Sequence, residues 1–154
     1  IRRKKKLRVM LTKHEIKSFL VLNFLKSHVS SGKKQLSEMT LQKALSFLKK
    51  IKKEHPVGIV YSSVQIVKPL CEIKTLRIGA SNYKVPVEIH PIRQRSLAIR
   101  FLVSNSFKRN ERCASQRLAM EVFDSVSLSS QSLKNCDEFH KLAEVNKVYI
   151  QYRN

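Results

Sequence analysis

One run of this chain alternates cleanly, Tyr83-Lys84-Val85-Pro86-Val87-Glu88-Ile89, and a proline sits near its centre. Alternation of period two predicts a strand with Tyr83, Val85, Val87 and Ile89 on one face and Lys84, Pro86 and Glu88 on the other. Pro86 has no N–H to give to a ladder, so the strand lies on an open edge. Its partner is the arm Cys71 to Ile78, reached across a small turn of Gly79, Ala80, Ser81 and Asn82. The hairpin therefore covers about residues 71–89. In the first arm Cys71 and Ile73 are apolar on one parity, then Leu76 and Ile78 on the other, which predicts a bulge or a change of environment midway. A two-stranded ribbon has only open edges and is marginal alone. It leans on a helical layer or on a partner.

The remaining segments supply that layer. From His14 to Val29, Ile16, Phe19, Leu20, Phe24, Leu25 and Val29 recur at helical spacing. Ser30-Ser31-Gly32 ends the helix, with Gly32 suited to the left-handed position after it. A second helix spans about Gln35 to Lys53, with Leu36, Leu41, Ala44, Leu45, Leu48 and Ile51 as its buried stripe. Pro56 stops that helix or starts the next. Val57 to Lys68 reads two ways: it is rich in β-branched residues, yet Val60, Val64 and Val67 share a helical face. Pro91 opens a helix with Leu97, Ala98, Phe101 and Leu102 inward and Arg93 and Arg100 on one stripe. Leu118, Ala119, Val122, Phe123 and Val126 mark another. The serine-rich stretch 127–132 reads as a loop, and Asn135 or Asp137 as the cap of a last helix carrying Phe139, Leu142, Ala143 and Asn146. The expected fold is mainly α: a bundle of about six helices with one protruding two-stranded β-hairpin. Residues 1–13 form a basic arm and 14–154 a single helical domain.

Charge narrows the function. Lys plus Arg number 31 against 11 Asp plus Glu, a formal net charge of +20. Such self-repulsion opposes a compact state until a polyanion neutralises it, which points to nucleic acid before an anionic membrane. Residues 1–8, IRRKKKLR, contain no acid and stay extended without phosphates to meet. Between Ile89 and Asn110 there is again no carboxylate.

Catalytic patterns are missing. No pair of carboxylates has a spacing that argues for acid–base work, and no phosphate-loop or zinc-protease motif occurs. Cys71, Cys113 and Cys136 form no C-x-x-C pair, so a metal centre and a disulfide framework are both poorly supported. The expectation is a non-enzyme with no cofactor, no metal, no membrane span and no small-molecule substrate.

Five segments, in order, resemble one family: universal protein seven of the small ribosomal subunit, in its bacterial and organellar form. They are Ser30 to Lys34 (SSGKK), Val67-Lys68-Pro69, Tyr83 to Glu88 (YKVPVE), Leu97 to Leu102 (LAIRFL) and His140 to Arg153 (HKLAEVNKVYIQYR). The family usually has glycine where Ile78 stands and tryptophan where Phe101 stands. These departures and the lysine-rich composition suit an organellar member, mitochondrial before plastid, with the bacterial cytoplasm as the other compartment. The resemblance implies a helical bundle with a projecting hairpin and makes Val57 to Lys68 helical. It also implies binding to the 3′ major (head) domain of small-subunit RNA, nucleation of head assembly, and a hairpin near exit-site tRNA and mRNA beside ribosomal protein eleven.

Folded ribosomal RNA offers phosphates and 2′-hydroxyls, so recognition is expected to be electrostatic and shape-based. The candidate RNA contacts are the arm (Arg2, Arg3, Lys4, Lys5, Lys6), the turn (Lys33, Lys34), the hairpin (Lys74, Arg77, Lys84), and the following helix and link (Arg93, Arg95, Arg100, Lys108, Arg109, Arg112). Gly79, Ala80, Ser81 and Asn82 form the tip expected near the exit site. The alternative is a basic helical DNA-binding protein, which would need polar base-reading residues on the second helix of a helix–turn–helix.

Overall fold

The computed structural model describes residues 19–152. The arm expected at 1–13, the helix start expected from His14, and Arg153 lie outside the described residues. In chain order come α1 (Phe19–His28), α2 (Lys34–Ile51), α3 (Pro56–Val67), β1 (Cys71–Ile78), β2 (Ser81–Glu88), α4 (Pro91–Phe107), α5 (Ala114–Val126), α6 (Gln131–Val145) and a closing 3₁₀ helix (Lys147–Tyr152). The expected mainly helical fold with a two-stranded antiparallel hairpin is the one observed.

The core gathers Phe24 of α1, Leu45 and Leu48 of α2, Val60, Val64 and Val67 of α3, Ile99 and Leu102 of α4, and Leu118 and Val122 of α5. Burying each such aliphatic side chain stabilises the fold by about 1.5–3 kcal/mol. Val60, Val64 and Val67 are all buried, so the β-branched stretch is a helix, with Pro56 in its first turn. Its valines outweigh their modest helix propensity by packing.

Several boundaries and faces differ from the sequence reading. In α2, Leu36 is 59% exposed and Ile51 is exposed too, while Ser37 and Thr40 are buried. The small hydroxyl residues satisfy themselves: Thr40 Oγ1 donates to the Leu36 carbonyl at 2.9 Å, and Ser37 Oγ hydrogen-bonds His28 Nδ1 at 3.1 Å. The α6 helix begins at Gln131, not after Asn135 or Asp137. Ser130 caps it by accepting from the Leu133 N–H at 3.3 Å, so the serine-rich loop is shorter than expected.

The hairpin register runs unbroken from Cys71 opposite Glu88 to Ile78 opposite Ser81, so β1 contains no bulge. The broken alternation reflects a change of surroundings. Cys71, Glu72 and Ile73 are half-buried, and every residue from Lys74 to Ala80 is exposed. The connection is the two-residue turn Gly79-Ala80; Ser81 and Asn82 belong to β2. Gly79 has φ of +62°, the left-handed conformation that a two-residue hairpin asks of glycine.

The ribbon's base leans on the C-terminal part of the chain. Val85, Pro86 and Ile89 are buried there. The Leu70 N–H donates to His140 Nε2 of α6 at 3.1 Å, and Ile89 N–H extends the ladder to the Leu70 carbonyl. The rings of Phe101 and Phe139 lie 5.3 Å apart and join α4 to α6, filling the place expected of Phe101. Tyr149 and Tyr152 of the 3₁₀ helix close over Tyr83 of β2. Among the described residues no helix is long and apolar enough to cross a membrane, and no group of three His, Cys, Asp or Glu is placed to hold a metal ion.

Candidate nucleic-acid interface

Four groups of candidate cations fall within the described residues. The first is the turn between α1 and α2. Ser31 and Gly32 both have positive φ, which turns the chain sharply and leaves Lys33 and Lys34 exposed at the start of α2. That helix has no side-chain cap and no acid in its first turn. Its positive dipole end therefore adds to the two ammonium groups.

The second group is the hairpin, and its register sorts the side chains by face. Thr75, Arg77, Asn82 and Lys84 share one face of its outer half, and all are exposed. Leu76, Ile78 and Tyr83 share the other with Lys74. One face is thus polar and cationic, the other largely apolar. Lys74 is paired with Glu72 at 3.8 Å, an exposed contact of little energetic weight.

Helix α4 provides the third group. Glu72 holds Arg93 at 2.8 Å, tying the ribbon's base to the helix. The Arg95 Nε–H donates to the Pro91 carbonyl at 3.5 Å, and Arg100 is exposed a turn and a half further on. His90 precedes the helix and its ring accepts from the Ile92 N–H. The sequence did not signal Glu72 as an anchor, because nothing local says which cations it will face.

The link after α4 contains the largest correction. Lys108 and Arg112 are exposed, but Arg109 is not a free cation. Its Nη1 donates to Glu121 Oε2 at 2.9 Å and to Asp124 Oδ2 at 2.8 Å, and its Nε donates to Glu111 Oε1 at 2.9 Å. Burial alone would lower the Arg109 pKa; the hydrogen bonds to Glu111, Glu121 and Asp124 outweigh it and raise the pKa. The same contact holds the Glu111 carboxyl below its usual range. Glu121 is 1% exposed and its other oxygen accepts from the Ser132 hydroxyl at 2.6 Å and the Ser132 N–H at 3.1 Å. Asn105 Nδ2 donates to Ser132 Oγ, and Asn135 Nδ2 to Asn105 Oδ1. This network clasps α4, α5 and α6 together. Arg109 has its guanidinium committed to three carboxylates, where the sequence reading had it among the candidate RNA contacts. The sequence signal for Glu121 was its place inside the apolar stripe, between Leu118 and Val122.

No ion pair found among the described residues uses Lys33, Lys34, Arg77, Lys84, Arg100, Lys108 or Arg112. The cysteines are all free thiols; Cys113 is exposed and Cys136 is buried, which pushes its pKa up to about 11.

A helical bundle that exposes Lys33, Lys34, Arg77, Lys84, Arg100, Lys108 and Arg112 outside its ion pairs has the charge pattern of proteins that meet a polyanion. Comparison with known proteins narrows that class. The family model described as Ribosomal protein S7p/S5e matches residues 1–147. "Small ribosomal subunit protein uS7" of Syntrophus aciditrophicus is 37% identical over 146 residues, covering 95% of this chain and 94% of the relative. The protein of the same name from Helicobacter hepaticus is 35% identical over 152 residues, covering 99% of this chain and 98% of the relative. The chain belongs to the ribosomal protein S7p/S5e family. Both relatives are bacterial, and they give no support to the organellar placement suggested by composition.

Proposed function

We propose that the chain is a structural constituent of the small ribosomal subunit that binds the head domain of its RNA and helps nucleate head assembly. The hairpin then reaches toward exit-site tRNA and mRNA beside ribosomal protein eleven. The observation that carries this reading is the family match over residues 1–147, which takes in the basic turn, the hairpin and the arginine helix together. The relatives' shared name supports the subunit assignment.

The binding residues in this reading are Lys33, Lys34, Lys74, Arg77, Lys84, Arg93, Arg95, Arg100, Lys108 and Arg112, with the arm's Arg2, Arg3, Lys4, Lys5 and Lys6 outside the described residues. Lysines act as point charges against phosphates, and arginines hold phosphate oxygens through a planar fork. Arg93 has two tasks, since its Nε is engaged by Glu72. Clustered cations neutralise phosphates and release counterions, which makes affinity fall steeply with salt. The turn Gly79-Ala80 has no charge and a small cross-section, which suits it to reach between RNA elements.

The test is sedimentation of the native protein through a high-salt sucrose gradient. Comigration with the small subunit is expected. A protein that stays at the top of the gradient, or travels with DNA, overturns the reading.

A further inference from the structure

Two thiols come together where the ribbon's base rests on α6. Cys71 opens β1 and is half-buried, and Cys136, in the second turn of α6, is 4% exposed. Helix α6 packs along β1, and one contact fixes where. The Leu70 N–H, one residue before Cys71, donates to His140 Nε2 at 3.1 Å. Cys136 is four residues before His140, so it lies on the same helix face one turn back. Burial is the main cause that raises the Cys136 pKa; Asp137 and then Cys71 add to it. The two sulfurs are therefore near enough to feel one another's charge. Cys113 stands apart, exposed at the start of α5.

The surroundings sort the roles of the two thiols. His140 Nε2 is taken by the Leu70 N–H, and no third group joins the pair as a metal site among the described residues. Cys136 is sealed from solvent, so an oxidant meets Cys71 first. The sulfur that can answer an oxidised Cys71 is then its neighbour across the seam. Burial raises the Cys71 pKa as well, which keeps its thiolate scarce at neutral pH. The pair therefore stays reduced until an oxidant persists, and it reacts faster as pH rises.

We propose that Cys71 and Cys136 are an oxidisable pair, a modification site at which hydrogen peroxide ties the ribbon's base to α6. The Cys71 thiolate attacks one peroxide oxygen, the O–O bond breaks, and Cys71 becomes a sulfenic acid as hydroxide leaves. The Cys136 sulfur then attacks the Cys71 sulfur. The S–O bond breaks, and the departing hydroxide takes the Cys136 proton as water. Two thiols and one hydrogen peroxide give one disulfide and two waters, with two electrons passing from sulfur to oxygen. A dithiol reductant reverses the change. The bond adds a covalent tie to the seam that the Leu70–His140 hydrogen bond holds, and so suppresses opening of the ribbon at its base. It requires no RNA and stands independently of the proposed function.

The test treats the full chain, reduced and then freed of reductant, with hydrogen peroxide. Intact mass and peptide mapping without reduction follow the product. The monomer is expected to lose two hydrogens and to show the Cys71 and Cys136 peptides joined, in the wild type and in Cys113→Ser alike. Cys136→Ala keeps the buried site small and apolar, and it is expected to leave Cys71 as a sulfenic acid that dimedone labels. Oxidation of the wild type is expected to slow amide exchange at the base of β1 and β2 by about 10-fold or more, and dithiothreitol to restore it. A monomer that keeps its full mass, a bond that includes Cys113, or a dimedone adduct that persists on wild-type Cys71 overturns the pairing. A mapped Cys71–Cys136 bond with unchanged exchange in the ribbon overturns the tie.

Discussion

Arg109 and Arg77 look alike in the sequence, each in a basic stretch, yet the fold treats them in opposite ways. Arg109 is 22% exposed at the side chain and is held by Glu111, Glu121 and Asp124. Arg77 stands exposed on a ribbon whose outer half has no acid. One cation clamps helices and the other faces solvent. Net charge therefore does not measure the binding surface, because Glu72, Glu111, Glu121 and Asp124 hold cations in the service of the fold.

The largest effect should come from breaking the clasp. Glu121→Ala leaves Arg109 with Glu111 and Asp124 and orphans the Ser132 N–H, and is expected to cost about 3–5 kcal/mol, read from the urea midpoint. Arg109→Met is expected to cost somewhat less, about 3 kcal/mol, since Glu121 retains its two bonds from Ser132. A loss within experimental error for either variant would mean that the network is ornamental.

Leu48→Ala, at a core position 1% exposed, is expected to cost about 2–5 kcal/mol by the same measurement. It tests whether the helical body sets global stability. The hairpin contrasts with it: Gly79→Val places a β-branched residue at φ of +62° with open space around the added carbon. The penalty is backbone strain of about 1–2 kcal/mol, and it should appear as faster amide exchange in β1 and β2 and not as a shifted global midpoint. Equal losses in both readouts would join the ribbon's outer half to the core's cooperative unit.

The smallest effect concerns His28, whose ring stacks on Phe107 at 5.4 Å and whose pKa is lowered by burial from the ordinary 6.5. A histidine with a lowered folded pKa favours folding in its neutral form. Its contribution is fully present above pH 6.5 and is lost as pH falls from there through the folded value. Thermal melts at pH 7.5 and 5.5 should therefore differ less for His28→Gln than for the wild type. An identical pH response would remove His28 from the account.

The helical period of α5 was legible, with Leu118, Ala119 and Val122 buried where their spacing placed them, whereas α3 read two ways by pattern and only the resemblance made it a helix. The α2 stripe was displaced because Ser37 and Thr40 can be buried once their hydroxyls find partners, and no period in apolar residues reports that. The clean alternation of Tyr83 to Ile89 revealed the hairpin, and Pro86 its open edge. Of the two readings offered for β1, a bulge or a change of environment, the unbroken register and the step from half-buried to exposed residues favour the second. Exposed cations could be named from composition, but their availability could not. The pairing of Arg109 with Glu121 spans 12 residues and depends on how α4 meets α5.

The central claim is that the hairpin cations meet RNA phosphates while Arg109 does not. Binding of the purified protein to head-domain RNA, followed as log affinity against log salt, tests it directly. The Arg77→Gln, Lys84→Gln double variant should flatten the slope by about 1.4 to 1.8, at roughly 0.7 to 0.9 per phosphate contact, and Arg109→Met should run parallel to the wild type. A flattened slope for Arg109→Met beside an unchanged one for the double variant would contradict the account.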